Sequence, residues 1–103
     1  MAEGAREFFE SVERRLDPAK AAGQRASYRF DIRGAGSWRV SVDDGAVVVE
    51  ESDADADCVI EASEADFMKL VRGEGSPTTM FVTGKLKVKG DMSLALKLRE
   101  LVL

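Results

Sequence analysis

Period-two alternation marks the middle of the chain. Within 26–33, Ala26, Tyr28, Phe30 and Ile32 share one face, and Ser27, Arg29, Asp31 and Arg33 share the other. Trp38, Val40 and Val42 then alternate with Arg39, Ser41 and Asp43, and Asp43-Asp44-Gly45 is a hairpin signal. Residues 46–50 read as a third strand, more continuously apolar. Cys58, Ile60 and Ala62 alternate with Val59 and Glu61 in a fourth. Residues 85–89, Lys-Leu-Lys-Val-Lys, form a fifth whose charged outer face blunts an edge. An antiparallel sheet with one apolar face needs a cover, and helices must supply it.

The helical period appears on either side of these strands. Residues 2–16 carry Ala5, Phe8, Phe9, Val12 and Leu16 on one stripe, with Glu10 and Arg14 as an i,i+4 pair of favourable order. Ser63 with Asp66 three residues on is a capping-box variant, and Phe67, Leu70 and Val71 form the buried face of the helix it opens. Ser76-Pro77 is an N-cap followed by proline in the first turn, opening a short helix with Met80, Phe81 and Val82. Asp91 caps a last helix with two apolar lines. One is Leu94, Leu98 and Leu101 or Val102; the other is Met92, Leu96 and Leu103. A surface helix of a small domain needs one such line. The second implies contact with more protein, a partner, a membrane or a bound lipid.

Composition narrows the classes. The chain has 103 residues, enough for one domain with its own core. Its net charge of −4 argues against a nucleic-acid binder. One cysteine suits a reducing, cytoplasmic setting, and no apolar run is long enough to span a bilayer. The first residues are acidic and helical in pattern, unlike a signal peptide. Charge is segregated: 43–66 holds ten carboxylates and no Lys or Arg, whereas 85–103 holds five basic residues and two acidic ones. The basic strip suits edge protection and solubility, and equally the steering of an anionic headgroup.

Candidate chemistry is sparse. With no histidine, the usual general base and metal ligand are missing. Asp53, Asp55, Asp57, Glu61 and Glu64 match part of a calcium-loop spacing, but Cys58 stands where the sharp-turn glycine belongs. They are read as an acidic loop. Cys58 itself is read as a small buried hydrophobe. Gly84-Lys85 echoes the end of a phosphate loop without its earlier glycine or its Ser/Thr. No cofactor and no catalytic pair is expected. The aromatic and methionine residues permit an apolar pocket between sheet and helices.

The run 76–98, SPTTMFVTGKLKVKGDMSLALKL, resembles the sterol carrier protein type two family of nonspecific lipid-transfer domains. GSWRVSVDDG at 36–45 and DCVIEASEADF at 57–67 add weaker support. The resemblance implies an α+β fold: a five-stranded, mainly antiparallel sheet with helices covering one face and a hydrophobic tunnel between them. It implies non-catalytic binding of sterols, fatty acids, fatty acyl-CoA or phospholipids. The lining would come from Phe30, Trp38 and Val40 on the sheet, Phe67, Met80 and Phe81 on the middle helices, and Met92, Leu96 and Leu98 on the last helix. The partners implied are a lipid or fatty acyl ligand, a transient membrane contact and enzymes of lipid metabolism, with no nucleic acid. A monomer is expected, with a dimer as the alternative. The competing function is a protein-interaction or dimerisation module using the C-terminal helix.

Overall fold

Alternation produces five strands in a single sheet. The computed structural model describes residues 4–15, 19 and 22–94. The strands are β1 (Arg25–Arg33), β2 (Gly36–Asp43), β3 (Ala46–Glu51), β4 (Cys58–Ser63) and β5 (Leu86–Gly90). Their spatial order is β3-β2-β1-β4-β5. β1 and β4 run parallel, and every other neighbouring pair is antiparallel. The β2–β3 hairpin turns at Asp44-Gly45, both with positive φ (46° and 91°), as the right-handed strand twist favours.

The helices are α1 (Ala5–Arg15), α2 (Glu64–Val71) and α3 (Pro77–Val82). The expected caps form: Ser63 Oγ accepts from Asp66 N at 3.2 Å, and Ser76 Oγ from Thr79 N at 3.3 Å. α1 packs on β3 and α2, α2 on β1 and β4, and α3 on β5. Tyr28, Phe30, Ile32, Trp38, Val40, Val42, Cys58, Ile60 and Ala62 bury their shared face beneath this layer, meeting Ala5, Phe8, Phe9 and Val12 of α1 and Phe67 and Met68 of α2. A last helical turn begins at 92–94. Leu16, Leu96, Leu98 and the rest of the expected C-terminal helix lie outside the described residues.

The parallel pair dictates an unusual connection. To reach β4 from β3, the chain must pass β2 and β1, about 14 Å at normal strand spacing. Residues 52–57 make that crossing over the polar face of the sheet. Arg29 Nη1 donates to Asp53 O at 3.1 Å, and Arg39 Nε donates to Asp55 O at 3.0 Å. Asp57 and Ser27 close the far end reciprocally: Ser27 N donates to Asp57 Oδ2, and Asp57 N to Ser27 Oγ. The segment read from sequence as an acidic loop does expose the side chains of Asp53 and Asp55. Its backbone is nonetheless strapped to two arginines.

Candidate functional site

The expected lining residues fall into two groups. The first is gathered by α1. Phe9 is 2% exposed and touches four rings. It stacks on Trp38 (centroids 4.8 Å apart, 12° between planes) and on Phe67 (5.4 Å, 11°), and meets Phe8 and Phe30 at 5.2 Å each. Phe67 also meets Phe8 and Phe30 edge-on. Phe30, Trp38 and Phe67 therefore converge on one helix residue, with Val40 buried on the same sheet face. Sequence reading places Phe9 on the α1 stripe, and only the adjacent Phe8-Phe9 pair hints that it is the hub.

Polar contacts fix α1 over this cluster. Glu64, at the start of α2, accepts from Ala5 N at 3.1 Å, and Glu7 accepts from Gly4 N at 3.2 Å. Both carboxylates thus sit at the positive end of α1. Arg6 pairs with Glu51 of β3 at 2.7 Å and lies 5.7 Å from the Trp38 ring centroid. The hydrogen bond from Arg6, and then its charge, hold the Glu51 carboxyl below the usual carboxylate range.

The second group lies at the β5 edge. Met80 is buried, with its side chain close against Gly75. Phe81 is 46% exposed, Val82 77% and Met92 47%. Leu86, Val88 and Leu94 are half-buried against the core. Among the expected lining positions, Phe81 and Met92 are therefore on the surface while Met80 is inside.

Between the groups lies a buried polar anchor. Tyr28 and Cys58 are side by side in the parallel register and fully buried. The Tyr28 hydroxyl donates to Leu94 O at 3.1 Å, which ties the start of the last helix to the centre of the sheet. Burial, with Cys58, Asp91 and Asp57 adding to it, pushes the Tyr28 phenol up to about 12. Burial likewise pushes the Cys58 thiol up, away from the reactive thiolate. Asp91 Oδ1 accepts from Ser93 N at 2.9 Å, the expected cap, and Asp91 N donates to Asp57 O at 3.0 Å.

The carboxylates with calcium-loop spacing are drawn to separate tasks. Asp57 binds Ser27, Glu61 pairs with Arg33 at 3.2 Å, and Glu64 caps α1. Among the described residues no group of three or more His, Cys, Asp or Glu side chains could hold a metal ion.

Comparison with known proteins agrees with this architecture. Hydroxysteroid dehydrogenase-like protein 2 of Xenopus laevis is 36% identical over 100 residues, covering 93% of this chain and 24% of that protein. Sterol carrier protein 2 of Homo sapiens is 43% identical over 68 residues, 65% of this chain and 12% of that protein. The chain thus spans about a quarter or less of the length of these relatives. Among solved structures, palmitated SCP2L2 from Aedes aegypti superposes with a TM-score of 0.76 at 20% identity, covering 97% of this chain and 95% of that one. The sec-alkylsulfatase Pisa1 from Pseudomonas sp. superposes with a TM-score of 0.83 at 17% identity, over 93% of this chain and 16% of that one. Both show the same fold. The profile of the SCP-2 sterol transfer family matches residues 7–103, and the chain belongs to that family.

Proposed function

We propose that this chain binds and carries apolar lipids (a sterol, fatty acid, fatty acyl-CoA or phospholipid) in a hydrophobic tunnel between sheet and helices, without covalent chemistry. The observation that carries the reading is the family match over residues 7–103, which includes the run 92–103 whose sequence has two apolar lines. The apolar residues left exposed at Phe81, Val82 and Met92, where the helix layer meets β5, support it. So does the structural use of the groups that might otherwise react: Cys58 is buried, and Asp57, Glu61 and Glu64 are each committed to a fold contact. An acyl chain moving from water into such a space gains roughly 0.8 kcal/mol per buried CH₂. Tails of similar length should therefore compete almost equally.

The test is native mass spectrometry of protein purified without added lipid, followed by titration with a fluorescent fatty acid. The expected result is a co-purifying lipid and saturable binding near one equivalent. No retained lipid and no saturable binding would end the reading. Sedimentation of loaded protein at several concentrations addresses the interaction-module alternative, which requires self-association or a protein partner through the last helix.

A further inference from the structure

β5 is an edge strand, hydrogen-bonded to β4 on one side. Among the described residues no strand pairs with its other side. Asp91 N donates to Asp57 O at 3.0 Å, and these two residues stand next in the β4–β5 register after Gly90 and Cys58. Bonded and non-bonded pairs alternate along an antiparallel ladder. Lys89 and Lys87 therefore turn their N–H and C=O toward Val59 and Glu61, whereas Leu86 and Val88 turn theirs out of the sheet.

The two faces beside this edge differ in chemistry. α3 packs on β5 from the helix side, where Leu86 and Val88 are half-buried, and it leaves Phe81 and Val82 exposed. Lys87 and Lys89 project from the opposite face and are exposed. Lys87 lies across from Glu61, which also pairs with Arg33 at 3.2 Å, and Lys89 lies across from the apolar Val59. The other edge is built differently: β3 meets α1, whose Arg6 pairs with Glu51 at 2.7 Å.

Outward-pointing backbone groups on an edge accept a further strand. The side chains of an added strand alternate, so one set meets the helix side and the other meets the lysines. We propose that β5 takes up an extended acidic peptide as a sixth strand, with apolar side chains toward Phe81 and Val82 and carboxylates toward Lys87 and Lys89. Charge selects this occupant. A second β5 would set lysine against lysine, and an acidic strand reverses that sign. The peptide site adds a protein contact to the carrier reading and does not depend on it.

Anisotropy of a fluorescent, end-capped peptide of alternating Val and Glu, titrated with the full chain, tests this. Binding should saturate near one equivalent and weaken with added salt. The same peptide with Lys in place of Glu should not bind. Methylating the two peptide nitrogens that donate to Leu86 and Val88 should lower affinity about tenfold. Lys87→Gln combined with Lys89→Gln should also lower it about tenfold, since two cross-strand charge pairs are lost, and Val82→Gln about threefold. All three side chains are exposed, and circular dichroism checks that the variants fold. In the complex the amides of Leu86 and Val88 should exchange far more slowly than in the free protein, which charge attraction alone does not produce. Absence of binding, equal binding of the two peptides, indifference to methylation, or protection of β3 in place of β5 would overturn the proposal. So would Leu86 and Val88 amides already protected before peptide is added. The edge would then be held by residues 95–103 or by a second copy, which sedimentation at several concentrations tells apart.

Discussion

Replacing Phe9 by alanine tests whether the ring cluster is the mechanical centre of the fold. The side chain is 2% exposed and contacts Phe8, Phe30, Trp38 and Phe67. A buried phenylalanine removes about 150 Å² or more from water, which is about 4 kcal/mol at the usual coefficient. Loss of four ring contacts and the cavity left behind keep the expected cost within about 3–5 kcal/mol. A domain of this size is stable by roughly 5–15 kcal/mol, so Phe9→Ala should stay folded in the cold but sit close to its limit. The only tryptophan in the chain, Trp38, stacks on Phe9 and reports directly. Urea unfolding followed by its fluorescence should show a much lower midpoint with an unchanged slope. Phe9→Leu, which keeps most of the volume, should cost about 1.5 kcal/mol or less. A Phe9→Ala loss below about 1 kcal/mol at constant slope would refute the reasoning, because it would mean the rings do not depend on Phe9 to fill their common space.

Three further predictions follow from polar and backbone geometry. Tyr28, the only tyrosine, has its phenol raised to about 12, so the folded state favours the neutral form. That stability is fully present below the ordinary value of 10 and is lost as pH rises through 12, about 2–3 kcal/mol in all. Tyr28→Phe should remove this share of the alkaline loss, as urea midpoints across that range would show; an identical slope in both proteins would contradict it. Gly90→Ala should cost more than about 2 kcal/mol, since φ is +90° and a Cβ would lie 2.4 Å from Asp57 O where β5 pairs with β4. A thermal midpoint within a degree or so of wild type, against the several degrees expected per kcal/mol, would rule it out. Arg29→Met removes the paired donations to Asp31 at 3.1 Å and the bond to Asp53 O, and should cost about 1–2 kcal/mol. Amide exchange should quicken within 52–57 and not in α2; uniform exchange would show that the strap is held by something else.

The strand faces are legible in sequence because period-two alternation maps directly onto burial. Tyr28, Phe30, Ile32, Trp38, Val40, Val42, Cys58, Ile60 and Ala62 are all inside, as the pattern requires. The Ser63 and Ser76 caps are legible because a short side chain at the first turn has few other uses. Strand order is not. Nothing in the residues of β4 says that it lies beside β1 in parallel, because register depends on where the connection runs. The connection is silent in turn, because Arg29 and Arg39 hold it by backbone carbonyls, which every residue carries alike.

The candidate site divides along the same line. Alternation identifies Phe30 and Trp38 as facing the helix layer, but a face does not say what fills the volume opposite. At the β1–β2 end that volume holds the Phe9 ring, a fact fixed by where α1 crosses and by the Glu64 and Arg6 contacts that hold it there. At the β5 edge no such helix stripe lies over Phe81 and Val82 among the described residues, and α3, six residues long, is too short for its exposed side to be read from periodicity. The two ends therefore answer to different measurements. A change at the Phe9 cluster first alters the free energy of unfolding, because protein atoms occupy both sides of each contact. A change at Val82 leaves almost no protein contact to lose, so its effect must appear, if anywhere, in what the exposed edge meets. A stability loss at Val82 comparable to that at Phe9 would show that the edge belongs to the core, and would remove the distinction on which the functional reading depends.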